Sequence, residues 1–219
     1  MNKTFEFEFV HKDLYGVAID VVKKFVAKEL TRPILTYALH DKNGDILATN
    51  SHKAIHIKDI HGFKEQCLVN PKTHMLARGD FPDLYKVIGS DKHKKAITLN
   101  KEQLKLWLQI FKSINNTLKM MKSGTRNKAV KMILSDDSVA IEVTVDDENS
   151  FKTVLPTTEL IKPEFDKITF SAEIMRDALE AHFKLNSEQL NIYFNGQMRP
   201  IILNDDVQVK TVVLPLRVY

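Results

Sequence analysis

Apolar side chains recur with helical spacing in three stretches of the chain. In DLYGVAIDVVKKFVAKEL, residues 13–30, Leu14, Val17, Ala18, Val21, Val22, Phe25 and Val26 fall on one face, the i, i+3, i+4 pattern of an amphipathic helix. In NKEQLKLWLQIFKSINNTLKMMK, residues 100–122, the stripe is Leu104, Trp107, Leu108, Phe111, Ile114, Leu118 and Met121. Asn100 with Gln103 three residues on predicts a capping box at its start. In SAEIMRDALEAHF, residues 171–183, Met175, Ala178, Leu179 and His182 turn inward behind an expected Ser171 N-cap.

Between these stretches lie short strand-like runs: FEFEF, ILTYAL, DILATN, AIHI, AVKMILS, VAIEVTV, FKTVLP, KITFS, LNIYF, PIILN and VKTVVLPL. Turn signals separate them, at Asn43-Gly44, Asp136-Asp137, Asp146 to Asn149 and Asn195-Gly196. The order strand, helix, three strands recurs three times, a weak internal repeat of roughly 60 residues. Two of the units end alike, in Val154-Leu155-Pro156 and Val213-Leu214-Pro215. Hairpin-joined strands with helices between them predict an α+β fold, antiparallel sheets with helices on one face. The stretch from Lys58 to Ile88 has no clear period and marks the domain boundary, giving expected domains at 1–88 and 89–219.

Composition narrows the class. A chain of 219 residues that is 43% hydrophobic can bury a substantial core. A formal charge of +4 and a sequence pI of ≈ 9.0 keep acidic or nucleic-acid partners in view. The single cysteine, Cys67, excludes an intrachain disulfide framework and fits a reducing cytoplasm. No apolar run reaches the ~20 residues of a membrane-spanning helix, and two glutamates interrupt the apolar start, unlike a signal peptide. The expectation is a cytoplasmic protein with no membrane association.

The candidate metal and catalytic motifs do not survive their own spacing. DKNGD puts Asp41, Asn43 and Asp45 at the first three ligand positions of a calcium loop. Ile46 then stands where the loop needs glycine, and His52 where it needs glutamate. An Asn-Gly hairpin accounts for the same residues. His52 and His56 on one strand face would lie about 13 Å apart, too far to share zinc, so these histidines and His61 are expected on surface or loops. The seven glycines are scattered, no serine sits in a G-x-S-x-G elbow, and Cys67 lies in no recognisable catalytic motif. Neither a catalytic residue, a metal nor a cofactor is expected.

Positive charge is patterned. Lys105, Lys112 and Lys119 repeat every seven residues opposite the apolar stripe of the second helix, with Lys101 and Lys122 nearby. Lys23, Lys24 and Lys28 take the polar side of the first. Such a face is either solvated surface or one that meets phosphates without reading bases.

Three separated pieces carry a family resemblance. Thr31 to Thr36, TRPILT, with Leu47 to Lys53, LATNSHK, resembles a paired segment of the bacterial DNA sliding clamp, the beta subunit of DNA polymerase III. Gly79 to Val87, GDFPDLYKV, resembles that family's interdomain linker, and Val212 to Val218, VVLPLRV, its C-terminal tail. The likeness covers the family's middle and C-terminal domains. The middle one is shortened, since 23 residues separate Ile57 from Phe81. By motif, the resemblance implies a pocket for clamp-binding peptides of polymerases and clamp loaders. It would be built from Arg32, Leu35, Thr49, His52, Lys53, Pro82, Lys86, Val87, Val212, Val213, Leu214, Pro215, Leu216 and Arg217. Asn50-Ser51 replaces the family's Asp-Gly, and Lys53-Ala54 its Arg-Leu, so a changed turn is expected there.

The resemblance further implies a non-enzymatic, nucleoid-associated processivity factor of DNA replication or repair. Its helices, with Lys23, Lys24, Lys28, Lys101, Lys105, Lys112, Lys119 and Lys122, would face duplex DNA. Closed rings of such proteins are homo-oligomers. An adaptor or decoy that binds clamp-partner peptides and regulates replication without encircling DNA fits the same motifs.

Overall fold

The computed structural model describes residues 9–28, 31–89, 94–120, 129–144 and 150–217. The FEFEF run up to Glu8, Met121, Lys122 and the Asp146–Asn149 turn lie outside them. Four α-helices are seen among the described residues: α1 Tyr15–Val22, α2 Leu84–Ile88, α3 Lys101–Met120 and α4 Ala172–Lys184. The strands before α3 are β1 Ala38–His40, β2 Ile46–Thr49, β3 Lys53–Ile57, β4 Cys67–Val69, β5 Leu76–Ala77 and β6 Lys94–Asn100. After it come β7 Ala129–Leu134, β8 Val139–Thr144, β9 Ser150–Leu155, β10 Glu159–Leu160 and β11 Lys167–Ser171. The last three, β12 Gln189–Phe194, β13 Ile201–Asn204 and β14 Val209–Val213, follow α4.

Every strand pairing is antiparallel. A ten-stranded sheet runs β10-β6-β12-β13-β14-β3-β2-β1-β4-β5, and a four-stranded sheet runs β11-β7-β8-β9. The last two repeats exchange their first strands. β6 leaves its own unit to pair with β12, and β11 leaves its unit to pair with β7. The exchange puts α3 and α4 into one core, where Leu104, Trp107 and Phe111 meet Met175, Ala178 and Leu179. At the other join, β14 pairs with β3 over Val209↔Ile57 to Val213↔Lys53, so the first repeat continues the sheet of the third.

The helix starts follow their local chemistry. At α3 the Gln103 amide donates to Asn100 Oδ1 (2.9 Å) and the Asn100 amide to Gln103 Oε1 (3.0 Å), the expected capping box. Buried Asn115 donates to the carbonyls of Phe111 and Ala172, tying α3 to the first turn of α4. Ser171 stands at the start of α4 but makes no side-chain cap bond, contrary to expectation. It is held instead in the β11–β7 ladder opposite Ala129.

Three readings are corrected. Helix α1 ends at Val22, so Lys23 is its C-cap and Lys24 and Lys28 lie beyond the helix. Its Ile and Val side chains are poor helix formers, and Phe25 and Val26 reach the core from the turns that follow. ILTYAL begins not as strand but as a 3-10 turn, Pro33–Thr36, because proline fixes φ and lacks the amide a ladder needs. Lys58 to Ile88 is not irregular throughout: it holds β4, β5 and α2, whose Asp83 cap accepts from the Lys86 amide. Strands β6 and β10 form where the apolar pattern predicts none.

The central sheet is buried on both faces. Ala38, Ile46, Ala48, Ile55 and Ile57 pack beneath α1. Leu39, Leu47, Ala54, Ile202 and Val212 alternate to the other face and pack beneath Leu84 and Ile88 of α2. His56 and His61 are buried here, correcting their expected surface or loop placement, while His52 is exposed as expected; His40 is buried as well. His56 Nε2 meets Asp45 Oδ2 at 2.6 Å, and the Asp59 amide and Tyr85 hydroxyl donate to the same carboxylate. Burial alone would raise the Asp45 pKa; the bonds from His56, the Asp59 amide and Tyr85 reverse that and hold it below its ordinary value. DKNGD is thus a hairpin turn, with Gly44 at φ +92° beneath the carbonyl of His61.

Candidate functional site

A groove of about 800 Å³ opens between the chain after α1 and the start of α4. One side is the chain after α1, with Lys23, Lys24, Val26, Ala27 and Lys28, continuing through Thr31, Arg32 and Leu35. The β2–β3 turn, Asn50 to Lys53, forms its end. The opposite side is the start of α4, with Ser171, Glu173, Ile174, Arg176 and Asp177, and Leu216 closes over from the tail. A volume of this size lies in the ~300–1,000 Å³ range typical of ligand clefts.

Two long-range devices shape it. The tail is pinned twice, by the Leu214 amide to the His52 carbonyl (3.1 Å) and the Leu216 amide to the Thr169 carbonyl (2.8 Å). These bonds carry Leu216 to the groove. The floor is held by Lys53, whose ammonium pairs with Asp177; the two side chains are 6% and 4% exposed. Lys53 also lies over the Phe25 ring, 5.2 Å from its centroid. Burial pushes the Lys53 pKa below its ordinary value, and the Asp177 charge opposes that shift. Arg176 reaches the same carboxylate at 2.6 Å, so one buried acid serves two cations from two elements.

The Asn50-Ser51 turn keeps a glycine-like shape without glycine. Ser51 has φ +72°, a left-handed conformation that glycine adopts freely. Asn50 Oδ1 accepts from the His52 and Lys53 amides, and Thr49 Oγ1 accepts from the Ser51 amide while donating to the Lys53 carbonyl. Side-chain bonds therefore hold the strained residue.

Of the expected pocket residues, the groove brings together Arg32, Leu35, His52, Lys53 and Leu216. Thr49, Val212 and Val213 are buried behind it, Leu214 and Pro215 are half-buried in the tail, and Arg217 is exposed. Pro82, Lys86 and Val87 belong to α2 and its approach, on the sheet face opposite α1. Pro82 is exposed, Lys86 pairs with Asp83 and Val87 is 50% exposed. The α4 wall escaped sequence reading. Its one legible signal was Asp177, a carboxylate beside the apolar stripe that burial obliges to find a cation.

The lysines divide in two. Lys23, Lys24 and Lys28 line the groove, with Lys24 paired to Glu180 and Lys23 to Asp20. Lys105, Lys112 and Lys119 are exposed on α3 and make no ion pair among the described residues, while Lys101 pairs with Glu188. The exposed strip of α3 carries Glu102 as its one acid. Among the described residues no cluster of His, Cys, Asp or Glu is arranged to hold a metal ion, and no helix is long and apolar enough to cross a membrane.

Buried His182 contacts Ser187 Oγ, which donates to Asp205. The serine proton goes to the acid and not to the histidine, and His182 and Ser187 are buried, so this is a structural relay and not a hydrolase triad.

No family model matches the sequence, and no curated protein matches it. The likeness is in the backbone. The DNA polymerase sliding clamp of Bacillus subtilis superposes with a TM-score of 0.77 at 19% identity, covering 100% of this chain and 68% of that one. The Pseudomonas aeruginosa sliding clamp gives 0.76 at 16%, covering 98% and 69%. The Helicobacter pylori beta clamp, solved with a DNA ligase peptide bound, gives 0.70 at 15%, covering 99% and 68%. The chain has the bacterial sliding-clamp fold, matched to about two thirds of the length of those clamps.

Proposed function

We propose that this protein is a sliding-clamp-like accessory factor of DNA replication or repair, a non-enzyme that docks short peptides of polymerases or clamp loaders. Residues 1–88 supply one clamp-like repeat and 89–219 two more. The observation that carries the reading is the groove: apolar Leu35, Ile174 and Leu216 line it together with polar and charged side chains, the composition of a peptide-docking cleft. The bound ligase peptide of the Helicobacter pylori clamp supports it by analogy of fold.

Leu216→Gln tests it directly. Leu216 sits in the half-buried tail, so the fold tolerates the change while the apolar anchor goes polar. Binding of a fluorescent Leu-rich peptide from a clamp-loading or polymerase protein should weaken about ten-fold or more. Unaltered binding, with unfolding unchanged, removes the groove from the function.

The second contact in this reading is sequence-independent, between α3 and duplex DNA. Lys105, Lys112 and Lys119 lie on one exposed face about two helical turns apart. Changing all three to Gln should flatten the dependence of log affinity on log salt by about 3, roughly one phosphate contact each. An unchanged slope places these lysines in solvent. For self-association, β9 ends the four-stranded sheet with Phe151 and Val154 exposed, an open ladder suited to a second copy. A solution mass equal to one chain would remove that part.

A further inference from the structure

Charge along the groove is lopsided. Six basic side chains line it against two acidic ones. Four of the six already have carboxylates: Lys53 and Arg176 at Asp177, Lys24 at Glu180, and Lys23 at Asp20 on the solvent side. Lys28 and Arg32 do not. No ion pair reaches either among the described residues, and the one side-chain bond of Arg32 is a long 3.5 Å contact to Ser51 Oγ. Both line the groove and are exposed, and Val26 and Leu35 line it too.

We propose that the groove selects an acidic peptide, an extended segment whose apolar side chain reaches Leu35, Ile174 and Leu216 and whose flanking carboxylates pair with Arg32 and Lys28. This rests on reading the groove as a peptide site and adds the chemistry of the partner. Arginine is the stronger determinant, because its planar guanidinium takes a carboxylate through two parallel bonds while Lys28 offers a point charge. The internal pairs sharpen the selection. Asp177 and Glu180 hold the inner cations, so a peptide carboxylate gains most at the rim, where it displaces only water. A basic peptide meets Lys28 and Arg32 as like charges and is repelled.

Duplex DNA is a different occupant for the same cations, but the groove favours a peptide. Apolar side chains line it, and phosphates would leave Leu35, Ile174 and Leu216 unused.

Three short synthetic peptides sharing a Leu-Ser-Leu core, flanked by Asp, Asn or Lys, test this by fluorescence anisotropy on the intact protein. Lys28→Gln/Arg32→Gln and Leu216→Gln run in parallel. The Asp-flanked peptide should bind about ten-fold tighter than the Asn-flanked one and the Lys-flanked one weakest. In Lys28→Gln/Arg32→Gln the Asp-over-Asn preference should fall to about two-fold or less. Equal binding of the Asp and Asn peptides to the wild-type protein, or a preference that survives the double change, overturns acidic selection and leaves the peptide groove standing. No binding of any of the three overturns both. Displacement of the Asp-flanked peptide by a duplex oligonucleotide whose own binding is lost in Lys28→Gln/Arg32→Gln makes the rim a phosphate surface and overturns the proposal.

Discussion

Asp177→Asn is expected to lower unfolding free energy by about 3–5 kcal/mol, a large share of the ~5–15 kcal/mol typical of a folded chain. The side chain is 4% exposed and serves both Lys53 and Arg176. Removing its charge leaves the Lys53 ammonium, in a side chain 6% exposed, against the Phe25 ring without its anion. Lys53→Met/Asp177→Leu should recover most of the loss, because it removes both desolvation penalties and fills similar volume. Urea unfolding of the three proteins measures it. A loss below about 1 kcal/mol in Asp177→Asn would mean that water already reaches the pair. Because the pair joins β3 to α4, Asp177→Asn should also weaken peptide binding, whereas the apolar double variant should retain it.

Acid should destabilise the protein well before its carboxylates titrate. Burial pushes the pKa of His182 down to about 4, against a weaker pull upward from Asp205 and the Leu203 backbone. His40 is likewise depressed to about 4, by burial first and then by the neighbouring His61. Both are completely buried, and their polar neighbours suit the neutral ring. Ser187 donates its single proton to Asp205, so His182 Nδ1 must donate to Ser187 and Nε2 accepts from Thr211. His40 meets the Tyr15 hydroxyl through Nε2, while its Nδ1 has no hydrogen-bond partner among the described residues.

The sign follows from linkage. The unfolded chain takes up these protons near pH 6.5 and the folded one only near 4. The stabilisation is therefore complete above about pH 6.5 and is lost as pH falls towards 4. Each histidine accounts for about 2.5 kcal/mol between pH ~7.5 and ~4.5, so the two together remove about 5 kcal/mol. His61, also depressed by burial, adds in the same direction. Equilibrium unfolding across that range measures the slope. His40→Phe and His182→Gln should each reduce the wild-type slope by about a third to a half, whatever their stability at neutral pH. A flat profile in the wild-type protein, or slopes untouched by both changes, would show that neither ring stays neutral in the fold.

The elements that were legible in the sequence share a cause. Helix α3, its capping box and the DKNGD hairpin depend on residues within a few positions of one another, and the period of the apolar residues exposes them directly. The errors also have causes. Helix α1 was read too long because Phe25 and Val26 keep helical spacing while lying beyond the helix. Pro33 was passed over inside an apolar run. β6 and β10 escaped because Lys94 and Lys95 open one and the other is two residues long.

By itself, then, the sequence determined an α+β chain of strand-helix-strand repeats, the buried stripe of α3, its exposed lysines, and the motif resemblance to sliding clamps. Only the tertiary structure decided that β6 and β11 exchange sheets, that β14 joins β3, and that Lys53 finds Asp177 from 124 residues away. It also moved Lys23, Lys24 and Lys28 from an assumed helix face into the groove and supplied α4 as the second wall. The physical reason is range. Caps, turns and periodicity act between near neighbours and leave a local imprint, whereas strand exchange, a buried ion pair and a groove arise from surfaces that meet only after the chain has folded.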